Sequence, residues 1–206
     1  NLDPGGVYLE SRGLATDGAH QVGWARQGAG GGGNQHAALW TGSASTFVDL
    51  NPLGYYRSQA HGIDGDVQAG WAANLVDSHD HAMIWRGGHD EFTDLHPIHL
   101  PSYVDSYCLA AGGGTQAGYA NASATHAAFW SGSSLTFLDL HPADSAYSLA
   151  NATTGAMQGG FAVFGTTLHA ALWSGTAATF IDLHPTGSSS SSIHGMDGGI
   201  QVGDSA

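Results

Sequence analysis

The chain has 206 residues, with 4 Lys+Arg against 17 Asp+Glu and a formal net charge of −13. Its basic residues are Arg12, Arg26, Arg57 and Arg86, with no lysine, so the clustered cations that nucleic acid and anionic membrane surfaces demand are missing. No run of about 18 apolar residues is present to span a membrane, and a hydrophobic content of 42% argues against wholesale disorder.

In chain order, residues 1–10 open with Asn1-Leu2-Asp3-Pro4, which looks like the tail of an Asp-Leu-x-Pro motif met later. The expectation is a removed leader or a segment of something longer. From Ser11 two blocks alternate. The first sets a Ser ten residues before a Gln, followed by a small or apolar residue and Gly. Its five copies run Ser11 to Gln21, Ser58 to Gln68, Ser106 to Gln116, Ser148 to Gln158 and Ser191 to Gln201. The second reads His-Ala-x-x-Trp-x-Gly, then Phe-x-Asp-Leu-x-Pro, in four copies with tryptophans at Trp40, Trp85, Trp130 and Trp173; the second copy has Met83 two residues after its His, where the others carry Ala. The repeats approximate to 11–57, 58–105, 106–147 and 148–190, with a partial fifth over 191–206, in a single repeat domain. Gln-to-His spacing varies, which assigns that span to surface loops. Gly28–Gly33 is expected to be a flexible loop and Ser188–Ser192 a polar connection into a strand.

Each repeat predicts four short strands. Segments such as Gln21–Ala25 and Thr46–Leu50 are aromatic and β-branched between Gly, Asp and Ser turns, and Asp17-Gly18, Asp64-Gly65 and Asp197-Gly198 carry hairpin-turn chemistry. No sustained helical periodicity appears. Four strands in about 45 residues match a propeller blade. The fold class is therefore an all-β propeller of four-stranded blades, four full repeats plus a partial fifth, with a parallel β-solenoid as the alternative. If Trp40 pairs with Phe47 across the turn at Thr41–Thr46, Ala38 faces Asp49, and His36 lies diagonally from Asp49 on one face. The same register pairs His81 with Asp94, His126 with Asp139 and His169 with Asp182.

The pattern Ser-x-Ala-x-Gly-Ile-Asp-Gly-x-x-Gln-x-Gly, followed by His-Ala-x-x-Trp and Asp-Leu, resembles the bacterial extracellular repeats named for a His-Ala-Phe triplet. The resemblance covers residues 11–206 and implies a secreted or surface protein of propeller-like repeats. It transfers no catalytic residue. The chain departs at Ala38, Met83, Ala128 and Ala171, where the triplet's Phe would stand.

The candidate sites follow from the repeat. The four His/Asp pairs are read as structural, since equivalent positions in each blade are what a repeat produces. Three further histidines, His96, His141 and His184, sit in Leu-His-Pro turns. The cluster His79, Asp80, His81, His89 and Asp90 offers imidazole and carboxylate ligands, but a polar loop is the favoured reading and no metal is assigned. The Asp-Gly turns lack a calcium-loop pattern. Trp24, Trp71, Tyr119 and Phe161 would form aromatic platforms for sugars if exposed; packing between blades is the favoured alternative. Asn121 and Asn151 lie in glycosylation sequons. The lone Cys108 excludes an internal disulfide and a Cys-based zinc site. No Gly-x-Ser-x-Gly elbow or unique acid–base pair stands out, so no catalytic residue, no cofactor and no enzymatic activity are expected.

The expected role is a non-catalytic extracellular or cell-surface structural protein. Its expected partner is itself, or adjacent repeats of a longer chain, joined through an incomplete blade. The alternative is a glycan- or protein-binding propeller, and a propeller hydrolase or lyase ranks last.

Overall fold

Short aromatic and β-branched runs punctuated by glycine favour strands that reverse direction every few residues, and the computed structural model, which describes residues 2–28 and 33–206, consists of such strands. The centre of the Gly28–Gly33 loop lies outside the described residues. Four antiparallel sheets follow one another. The first holds β1 (Tyr8–Thr16), β2 (Gln21–Gln27), β3 (Gln35–Trp40) and β4 (Val48–Asp49). The second holds β5 (Tyr55–Asp64), β6 (Val67–Asn74), β7 (Asp80–Trp85) and β8 (Phe92–Asp94). The third comprises β9 (Asp105–Gly112), β10 (Thr115–Asn121), β11 (Thr125–Trp130) and β12 (Leu138–Asp139). The fourth comprises β13 (Ser148–Thr153), β14 (Gln158–Phe164), β15 (Thr167–Trp173) and β16 (Ile181–Asp182). A fifth sheet has two strands, β17 (Ser191–Asp197) and β18 (Ile200–Ser205). Among the described residues helix is confined to three single 3-10 turns.

All pairing is antiparallel within a sheet, which rules out the parallel solenoid. The inner strands β1, β5, β9, β13 and β17 all line one central cavity of about 400 Å³, the arrangement of propeller blades around an axis. Each inner strand carries a β-bulge at the same repeat position: Leu14, His61, Leu109, Asn151 and His194. A bulge re-aims the extra residue, and here all five line the cavity.

Trp40, Trp85, Trp130 and Trp173 are completely buried. From the second blade onward, each packs with the leucine of the preceding Asp-Leu: Trp85 with Leu50, Trp130 with Leu95, Trp173 with Leu140. Leu2 packs against the Trp40 cluster in the same manner. The turn after each tryptophan needs a left-handed glycine (Gly42 φ 77, Gly87 φ 79, Gly132 φ 75, Gly175 φ 79). The N–H of each is held by the repeat glutamine's Oε1, from Gln21, Gln68, Gln116 and Gln158, at 2.8–3.0 Å.

Adjacent blades are also joined through the repeat serine. Ser58, Ser106, Ser148 and Ser191 each accept the backbone N–H of the preceding blade's His-Ala alanine at 2.9 Å. A serine buried at a sheet-to-sheet contact would be costly without such a bond, which accounts for its recurrence.

Candidate functional site

The third and fourth strands pair with Ala38 opposite Asp49 and Leu39 opposite Val48, and the equivalent register recurs in the other three blades. This places each repeat histidine against its aspartate. Nδ1 of His36, His81, His126 and His169 lies 2.7–2.8 Å from Oδ2 of Asp49, Asp94, Asp139 and Asp182. A carboxylate only accepts, so each Nδ1 carries the proton. The second carboxylate oxygen of each aspartate accepts the backbone N–H two residues on, at 2.8 Å.

A tyrosine completes the group in three blades. Tyr8, Tyr55 and Tyr103 donate their hydroxyls to Asp49, Asp94 and Asp139. Each stands three residues before the repeat serine, a spacing that sequence reasoning overlooked. In the fourth blade Ser145 occupies that position, and the Phe164 ring packs edge-on against His169 instead. Burial, together with the bond to Asp49, pushes the Tyr8 hydroxyl up to about 12. Burial alone would raise Asp49, but bonds from His36, Tyr8 and the Asn51 amide hold it below the usual carboxylate range.

The turn histidines belong to the same assembly. His96, His141 and His184 direct Nδ1 at the hydroxyl of Ser106, Ser148 and Ser191, 2.8–2.9 Å away. At His141 and His184 Nε2 lies 3.0 Å from the Ser145 and Ser188 carbonyls, which only accept, so Nε2 carries a proton and the tautomer with Nδ1 free accepts the serine hydroxyl. In the first blade Asn51 does the same work: Oδ1 accepts from Ser58 at 2.7 Å and Nδ2 donates to the Tyr55 carbonyl. The two histidines of a blade stack, with centroids 4.3 Å apart for His81/His96, 4.0 Å for His126/His141 and 4.1 Å for His169/His184. Burial pushes His96 down to about 4, the neighbouring His81 adding to the effect. His141 is lowered for the same reasons. Burial also acts to lower His81, but Asp94 and Asp77 on its two nitrogens outweigh it and raise the ring above its usual value.

These shifts give stability a defined pH dependence. As pH falls from about 6.5 toward 4, the unfolded chain protonates His96 while the folded chain does not. Stability is lost across that window, with a slope of about 1.4 kcal/mol per pH unit for each proton involved. His81 acts oppositely, contributing below about 6.5 and losing its contribution as pH rises through its raised value. Replacing His96→Asn, the solution the first blade uses, is expected to leave stability at pH 8 within about 1 kcal/mol and to flatten the acid limb. Urea unfolding from pH 8 to 4 checks this; an unchanged acid slope contradicts the assignment.

The His–Asp–Tyr groups hold charge but lack a nucleophile. Among the described residues no Ser, Thr or Cys hydroxyl or thiol hydrogen-bonds the Nε2 of the four dyad histidines, and at His81 that nitrogen faces the Asp77 carboxylate at 3.1 Å. Cys108 is fully buried, and burial pushes its thiol far above the range of a reactive thiolate.

The polar cluster predicted around His79 disperses. His79 pairs with Asp105 at 3.2 Å, Asp80 with Arg57 and Tyr107, His81 with Asp94, and His89 with its exposed neighbour Asp90. Among the described residues no three His, Cys, Asp or Glu side chains converge in a metal-binding arrangement.

The aromatic platforms are not open. Trp24 and Trp71 are buried, with Arg26 and Arg57 over their faces at 5.2 and 4.9 Å. Tyr119 is half-buried and stacked on Tyr107, and Phe161 is half-buried, edge-on to Tyr147. The exposure that sugar stacking required is therefore missing at both tryptophans, because cross-strand partners and cations cover them. Of the sequon asparagines, Asn121 is half-buried at the end of β10 and accepts from Thr125. Asn151 lines the central cavity with its amide nitrogen donating to the Ile193 carbonyl.

One feature is blade-specific. The Arg57 guanidinium reaches both Asp80 oxygens at 3.2 Å, and the Tyr107 hydroxyl reaches Oδ2 at 2.7 Å. This group joins the second and third blades, and the Arg57 Nε is buried within it without a hydrogen-bond partner. Among the described residues no helix is long and apolar enough to cross a membrane. No protein-family model matches the chain, and a search of curated proteins finds no significant match.

Proposed function

We propose that the protein is a non-catalytic extracellular or cell-surface repeat protein with a structural role, associating with itself or with further repeats through its incomplete fifth blade. The observation that carries the reading is the β17–β18 hairpin. It repeats the inner two strands of every other blade but has no third strand among the described residues. An unpaired strand edge is a template for another strand.

Further support comes from the repetition of the His–Asp–Tyr groups without a nucleophile, which suits scaffolding better than catalysis. The extracellular assignment draws on the His-Ala-Phe resemblance; the absence of lysine is compatible with it. Glycan binding has less support, since two of its four platforms are buried.

Sedimentation velocity across a concentration series tests the proposal, with negative-stain microscopy of the same samples. Concentration-dependent dimers or fibres are expected. A monodisperse monomer at high concentration contradicts it.

A further inference from the structure

We infer that residues 75–78 form a pH-sensitive lid over His81, with Asp77 as its latch: the lid is shut while both nitrogens of that imidazole carry protons and is released when Nε2 loses its own. The device lies wholly within the second blade and does not depend on the assembly reading.

Comparison of the four dyads isolates the lid. His36, His126 and His169 keep 16%, 20% and 21% of their side-chain surface exposed, and Nε2 of each has no hydrogen-bond partner among the described residues. His81 keeps 3%, and its Nε2 faces Asp77 Oδ2 at 3.1 Å. The cover comes from the connection between β6 and β7. The third and fourth blades make that connection through Ala122-Ser123-Ala124 and Gly165-Thr166, which offer no carboxylate. In the second blade it is Leu75-Val76-Asp77-Ser78-His79, long enough to fold back over the ring.

The lid needs its latch. Ser78 has φ 65 and is the one non-glycine residue with a left-handed backbone among the described residues, a conformation that L side chains resist. Leu75 and Val76 are exposed, so apolar burial does not hold the segment down. Backbone bonds tie its two ends, from the Leu75 N–H to the Gly54 carbonyl and from the Ser78 N–H to the Asn74 carbonyl. Between them Asp77 spends Oδ1 on the His79 N–H and Oδ2 on His81. That last bond is the one that a change of protonation breaks.

The groups around the ring fix the sign. Asp94 from β8 takes the Nδ1 proton at 2.7 Å, His96 stacks on the ring at 4.3 Å, and the Tyr55 ring of β5 stands edge-on at 6.4 Å. His79, the other titratable group of the connection besides Asp77, is paired with Asp105 of β9. A carboxylate only accepts, so Asp77 binds a protonated Nε2 and is repelled by the bare lone pair. Burial acts to lower His81, but the two carboxylates outweigh it and raise the ring above its usual value. The latch is therefore present below the ordinary histidine range and lost as pH rises through the raised value. Asp77 then turns to solvent, and Ser78 is free to leave its strained conformation.

The test puts a nitroxide label on Val76→Cys; the native Cys108 is fully buried, with its thiol pushed far above the reactive range, and stays unlabelled. The mobile component of the EPR spectrum is expected to grow about fivefold between about pH 5 and about pH 9, the scale of one charge pair near a protein surface. Its midpoint should coincide with that of the His81 ring signals in an NMR titration of the unlabelled chain. A label on Ser123→Cys, in the third blade's connection, should show no such change. In the chain that also carries Asp77→Asn, the lid label should be mobile at every pH. The His81 midpoint should move to lower pH in Asp77→Asn, because a latch and a proton that favour each other do so reciprocally. Mobility that stays constant while His81 titrates overturns the proposal. So does a pH response that survives Asp77→Asn, which would assign the motion to His79 and Asp105, or a His81 midpoint that the substitution leaves unmoved.

Discussion

Replacing Gly118 with alanine is expected to cost at least about 3 kcal/mol, at or beyond the upper end of ordinary overpacking. A Cβ at Gly118 would stand 1.9 Å from the Tyr107 carbonyl oxygen and 3.0 Å from the Cys108 Cα. Both are backbone atoms of the paired inner strand, so neither can move aside without breaking the ladder. The close approach follows from the adjacent bulge at Leu109, which draws the inner strand across the second. Gly23, Gly70 and Gly160 meet the same obstruction at 1.8–2.0 Å. This is a stronger reason for the Gln-x-Gly motif than turn formation. Gly88→Ala is the control: nothing lies within 4 Å of its Cβ, and its effect should stay within about 0.5 kcal/mol. Urea unfolding of both variants decides the matter, and similar midpoints for the two would contradict the close packing.

Trp130→Ala is expected to destabilise by about 3–5 kcal/mol. The side chain is fully buried in a cluster that joins Leu95 of the second blade to Cys108, Ala120 and Ala128 of the third. Half of the other buried residues of this cluster are alanines, which are too short to collapse into the space left behind, so the cavity term should be near its full size. Because each blade packs chiefly on its neighbours, part of the loss should appear as reduced coupling between the two halves of the chain. A broader or two-step urea transition would report it. Leu135→Ala, at a residue 78% exposed, should change little. A loss below about 1 kcal/mol in Trp130→Ala would mean that the tryptophan does not join blades.

Much of the fold was legible because the repeat is strict. Fixed spacings from His to Trp and from Trp to Asp left one sensible hairpin register, and strand alternation then set His36 beside Asp49. The Trp-x-Gly turn was equally visible as punctuation. The partners of the serine and of the Leu-His-Pro histidine were not, because they meet across blades and no local period connects them. Asn51 at the equivalent place in the first blade was the available clue, since asparagine and neutral histidine can both accept from a hydroxyl and donate from a second atom. The tyrosines were missed for a different reason. Tyr8 and Tyr55 lie on inner strands and Tyr103 just before one, yet all act on the outermost strand, a contact that strand alternation does not reveal. Whether the aromatic position was an open platform or inter-blade packing could not be read from the repeat, because its cover at Trp24 and Trp71 comes from Arg26 and Arg57, which lie at different points of their repeats.

Amide hydrogen exchange at low and high protein concentration tests most directly whether the fifth blade is completed by association. In dilute solution the amides of residues 200–205 are expected to exchange rapidly, while those of β2, β6, β10 and β14 stay protected. Raising the concentration should protect residues 200–205 selectively. Unchanged exchange in β18 under conditions where the protein associates, or protection confined to another surface, would contradict the account.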